Sequence, residues 1–113
     1  MQPEGLALLW DARHAAGLIL RFVEGKAAAD YNADDMLRSA VERQFEIIGE
    51  ALNRLSRVDA ETATNIPDLP RIVAFRNVLI HGYATIDDAI VWEVVSQRLD
   101  ALVRLLDDLL SEA

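Results

Sequence analysis

The chain has no cysteine, which excludes a disulfide framework, a thiolate zinc site and a cysteine nucleophile. Two histidines are too few for a three-histidine metal site within one chain. Lys26 is the sole lysine, and the other ten basic residues are arginines. No apolar run reaches the 18 residues that a membrane span needs. The opening stretch MQPEGLALLWDARH places no basic segment ahead of its apolar residues, unlike a secretory signal. A cytoplasmic protein is therefore expected. Glycine occurs five times and proline three times, so chain breaks are scarce and their positions carry information. No segment alternates apolar and polar residues with β-branched enrichment, and no strand is expected.

What is present reads as one helical domain over residues 1–113. At 52% hydrophobic and 27% charged, the chain is too apolar for bulk disorder and too short for two independent cores. Nineteen acidic against eleven basic residues leave a net charge of −8. The excess is uneven: residues 87–113 carry seven acids against Arg98 and Arg104, whereas residues 1–86 carry twelve acids against nine bases. Such acidity opposes a broad electrostatic grip on nucleic acid. Contact with an anionic ligand must be local, or be created by assembling two chains.

The apolar residues recur at helical spacing throughout. The pattern predicts helices over about Pro3–Glu24, Ala33–Arg57, Leu69–Ile80 and Ile86–Leu110. Pro3 suits the first helical position, and Gly25 the left-handed position beyond the first helix. Asn32 is the expected N-cap of the second helix, Asp68 that of the third and Thr85 that of the fourth. Residues 58–67 read as a loop with room for a turn of helix. Four such helices pack most simply as an antiparallel bundle, an all-α fold. The fourth carries apolar residues on more than one side, which fits either a thick core or a face used for homodimerisation.

Unusual residues concentrate at the end of the third helix, in the run from Pro70 to Tyr83. Arg76 follows Ile72 by one turn and lies on a partly apolar face, where a guanidinium must find a partner or a ligand. Asn77 adds an amide beside it. His81 stands at the helix terminus, and an imidazole, which titrates near pH 6.5, is the best general acid or base in the chain. Arg76 and His81 are five residues apart, about 140° around a helix, so they converge only if the helix end loosens or if two chains share the site. Structural roles are open for each: Arg76 can pair with Glu50, His81 can cap the last carbonyls of its helix, and Tyr83 can pack near Val78. His14 reads as an exposed residue, and Trp10 and Trp92 as core or interface. Glu42 and Glu46 are spaced like metal ligands, but nothing nearby completes a set, so no metal and no cofactor is expected.

The string Arg76-Asn77, then His81-Gly82-Tyr83, resembles the Arg, four residues, His, one residue, Tyr signature of the HepT toxins of the HEPN superfamily. Glu42 to Leu52 in the second helix and Ile86-Asp87 after the tyrosine resemble that family too, and the likeness runs from about Leu8 to Val95. It implies a homodimeric helical bundle and a metal-independent endoribonuclease, a toxin whose two motifs meet in a cleft at the dimer interface. By position, Arg76 and His81 would be catalytic with Asn77 in support. Tyr83 would be the hydroxyl that a minimal nucleotidyltransferase antitoxin, MntA, silences by transferring AMP. The implied substrate is RNA, with tRNA the first candidate by analogy. The alternative is a non-catalytic HEPN dimer that binds a nucleotidyltransferase or a nucleotide.

Overall fold

The computed structural model describes residues 1–82 and 86–113. Among these the chain is helical with no strand, as α1 (Pro3–Phe22), α2 (Ala28–Ala33), α3 (Asp35–Val58), α4 (Ala60–Ala63), α5 (Leu69–His81), α6 (Asp88–Gln97) and α7 (Leu99–Ser111). The all-α architecture agrees with the periodicity. α1, α3, α5 and the α6–α7 pair are the four rods expected, and α2 and α4 are short turns added at their junctions.

α1 and α3 form the centre of the molecule. The start of α1 meets the end of α3 through Glu4 and Arg54, 2.9 Å apart, so the two run antiparallel. Leu9, Ala12, Ala16 and Ile19 of α1 are fully buried, as are Val41, Leu52 and Leu55 of α3. Alanines at two of these α1 positions let the helix axes approach closely. α7 closes the other side of α1, with Leu106 fully buried and Arg13 paired to Asp107 at 2.6 Å. α5 lies on α3, where Phe75 meets Phe45 edge-to-face at 5.2 Å.

The ends of the helices correct several expectations. Asp34, not Asn32, caps α3: its carboxylate accepts from the Leu37 N–H at 3.0 Å. Residues 28–33, with Asn32 among them, form α2 instead of a lead-in to α3. Asp68 precedes α5 without a side-chain cap. Asp87 caps α6 by accepting from the Ala89 N–H at 2.9 Å, and Thr85 lies outside the described residues. Asp59 accepts from Thr62 at both its amide and its hydroxyl and also from the Gln2 N–H, tying α4 to the start of α1. Gly25 takes the expected left-handed conformation, φ +73°.

The fourth predicted helix is broken at Arg98 (φ −123°, ψ −26°). The Ser96 hydroxyl donates back to the Trp92 carbonyl at 2.9 Å, a bond that bends helices. Geometry gives the larger reason. Val91, Val95, Leu99 and Val103 are all buried, yet residues four apart drift about 40° per step around a straight helix. A bend between α6 and α7 returns the stripe to the core.

Candidate functional site

α5 sets the site. Pro70 sits in its first turn, where a missing N–H costs no hydrogen bond. Its last turn closes at Gly82, whose N–H donates to the Val78 carbonyl at 2.8 Å. Leu79 is buried, and Ile72 and Phe75 pack on the core from the same side. The opposite stripe, Arg71, Ala74, Asn77, Val78 and His81, faces solvent, and Val78 is 55% exposed.

Arg76 lies on neither stripe. It points sideways onto α3, where its stem rests directly on the backbone at Gly49. A Cβ at position 49 would stand 2.3 Å from the Arg76 Cβ and 2.7 Å from its Cγ, so only glycine admits this approach. The head reaches the next residue: Nη2 donates to Glu50 Oε2 at 2.5 Å, and Nη1 donates to Asn77 Oδ1 at 2.8 Å. Nε is buried without a hydrogen-bond partner among the described residues. The arginine side chain is 22% exposed and the Glu50 side chain 63%, so the carboxylate is the outward member of the pair.

The structure thus brings Arg76, Asn77 and Glu50 together and leaves His81 apart. His81 is exposed at the end of α5, and its imidazole has no partner among the described residues. The five-residue spacing turns Arg76 toward α3 and His81 toward solvent, as the helical geometry requires. Tyr83 lies outside the described residues. The ion pair of Arg76 with Glu50, one of the roles open from sequence, is formed.

Glu50 also lines a cleft of about 550 Å³ between α1 and α3, to which α5 contributes Ile80. Arg43 and Arg54 stand in its wall, each paired to an acid, Glu46 at 3.7 Å and Glu4 at 2.9 Å. His14 lies at the lip and stacks on Trp10 with ring centres 4.9 Å apart. Trp10 is 56% exposed and is not a core residue, whereas Trp92 packs against buried Tyr31 at 5.4 Å. Among the described residues no three His, Asp or Glu side chains gather where they could hold a metal ion, Glu42 and Glu46 included.

Sequence reasoning missed Gly49. Its signal was available: glycine inside a strongly periodic helix costs about 1 kcal/mol against alanine, and such a residue usually marks a close approach.

Residues 12–109 match the family described as Ribonuclease HepT-like. Among curated proteins, "Putative RNase MJ1380" of Methanocaldococcus jannaschii is 33% identical over 91 residues, covering 80% of this chain and 83% of that protein. "Probable ribonuclease HepT" of Thermococcus cleftensis is 30% identical over 94 residues, covering 83% and 84%. "Putative RNase TTE0752" of Caldanaerobacter subterraneus is 29% identical over 94 residues, covering 83% of each. No solved structure matches the chain. With nearly its whole length matched, and with Arg76, Asn77 and His81 carried on one helix end, the chain belongs to the HepT-like ribonuclease family.

Proposed function

We propose that this protein is a metal-independent endoribonuclease toxin that cleaves tRNA or another cellular RNA in the cytoplasm. Arg76 and His81 are its catalytic residues and Asn77 their support. The observation that carries the reading is the end of α5, where the guanidinium and amide of Arg76 and Asn77 are joined by a hydrogen bond and an exposed imidazole follows one turn later.

Cleavage without a metal proceeds by attack of the 2′-hydroxyl on the adjacent phosphate. One base takes the hydroxyl proton and one acid returns a proton to the departing 5′-oxygen. Arg76 binds phosphate oxygens through its planar fork and stabilises the charge that builds on phosphorus. A single chain has one His81, turned away from its own Arg76. A homodimer supplies two of each across a two-fold axis. The exposed α5 stripe suits that role: Ala74 is small enough for close helix approach, and Val78 offers apolar surface.

In this reading an MntA-like nucleotidyltransferase is the antitoxin. It transfers AMP to Tyr83, and the added phosphodiester, two residues from His81, opposes a substrate phosphate by charge and bulk.

The test is incubation of the unmodified protein with total tRNA in EDTA, beside an Arg76→Ala/His81→Ala variant. Cleavage by the first alone is the expected result. No cleavage by either, with intact mass showing Tyr83 free of AMP, moves the reading to a non-catalytic dimer that binds a nucleotidyltransferase partner or a nucleotide.

A further inference from the structure

We infer that Gly49 and Glu50 of α3 form the seat of Arg76, and that the Glu50 carboxylate holds the place an RNA phosphate takes during turnover. The inference rests on the reading of Arg76 as the phosphate-binding group and adds two positioning residues to it.

Three observations carry it. First, the Arg76 stem lies directly on α3, its Cβ and Cγ in the space that a side chain at position 49 would need. Second, the head is already engaged by an anion: Nη2 donates to Glu50 Oε2 at 2.5 Å, while Nη1 is turned to Asn77. A carboxylate and a phosphodiester present the same feature to a guanidinium, a planar pair of oxygens sharing one negative charge. Third, Glu50 is the outward partner, 63% exposed against 22% for Arg76. An incoming phosphate meets the carboxylate first, and Glu50 can swing into the adjoining cleft, whose wall it already forms, without disturbing the core.

The exchange conserves charge. One monoanion leaves the guanidinium as another arrives, so Arg76 is never left half-buried and unpaired, which would be costly. Glu50, the 63% exposed member, returns to water as the phosphate takes its place, so the exchange leaves no buried charge behind. The effect of the resting pair is to weaken phosphate binding, because the bound phosphate must first displace Glu50.

The test is a titration with inorganic phosphate, followed on the Arg76 Nε–Hε resonance. That proton is buried and so shielded from exchange with water, and its signal is assigned by its loss in Arg76→Ala. Glu50→Gln keeps the shape and the acceptor oxygen but removes the charge. Phosphate affinity is expected to rise about fivefold, the effect of one unscreened charge at contact distance in water. The KM for a short RNA should fall by a similar factor with kcat within twofold. Glu50→Ala, also neutral, should show the same gain, whereas Glu50→Asp should not. A purely structural Glu50 would move affinity the other way or leave it unchanged. Unchanged or weaker phosphate binding in folded Glu50→Gln and Glu50→Ala overturns the seat. Phosphate binding needs no catalysis: if RNA stays uncut while phosphate displaces Glu50, the nuclease reading fails and the seat stands.

Discussion

Arg38 gathers charge where α2, α3 and α6 meet. It donates to the backbone carbonyls of Tyr31 and Asn32 and pairs with Asp35 and Asp88. Glu42, one turn along α3, shares that neighbourhood without sharing its benefit. Burial first, and then the charge of Asp88, raise its pKa above the ordinary glutamate value, and Arg38 only partly opposes them. The folded chain therefore holds this proton more tightly than the unfolded chain does. Stability is full below the ordinary glutamate pKa and declines as pH rises through the raised value. Glu42→Gln should raise Tm at pH 7 by on the order of 2 °C, and the advantage should vanish near pH 4, as thermal melts at both pH values will show. Little of this was legible in the sequence, where Glu42 stood out only for its spacing from Glu46. Helical spacing shows which residues share one helix face but not which acid another helix brings near. Asp88 lies 46 positions away, and only the fold makes it a neighbour. Arg76 and Glu50 were more readable, because an arginine on a partly apolar face demands a counter-ion and α3 had an acid at the right height.

Among the elements, the long apolar stripes of α1 and α3 were plain in the sequence, and their ends were less so. Asn32 and Asp34 are both good capping residues, and spacing alone does not choose between them. The structure chooses Asp34, because Tyr31 anchors α2 in the core and takes Asn32 with it. Asp34→Ala should cost about 1 kcal/mol, a fall in Tm of about 4–8 °C, while Asn32→Ala should leave the melt nearly unchanged. The break between α6 and α7 was hidden for a different reason. A run of apolar residues at steps of four looks like one seam in the sequence. Only the accumulated 40° drifts, together with the Ser96 back-bond, require the bend.

At the scale of the whole molecule, a net charge of −8 leaves the proposed ribonuclease very few residues with which to hold RNA, and one chain presents Arg76 and His81 on different sides. Pairing is the remedy that symmetry offers. If each site takes Arg76 from one chain and His81 from the other, then Arg76→Ala and His81→Ala proteins, inactive alone, should regain activity when unfolded together and refolded. Half of the dimers would be mixed, each with one intact site of two, so recovery should reach about a quarter of wild type. No recovery in a ribonuclease assay would mean that a site either takes both residues from one chain or needs both His81 side chains at once. The exposed stripe that runs up to His81 lies on α5 and was not legible in the sequence, since solvent exposure along a short helix appears only once its buried side is known. The contact at Gly49 bears on how such a protein can change. The arginine stem fills the volume that a side chain on α3 would otherwise occupy, so the two positions act as one shared slot. Residue 49 has no freedom to drift while Arg76 is retained. A single added methyl group at that slot pushes α5 away from α3 and unseats the arginine, leaving every polar group of the motif in the sequence. An intact motif is therefore no guarantee of a seated arginine, and the residue to inspect along with it is the small one beneath it.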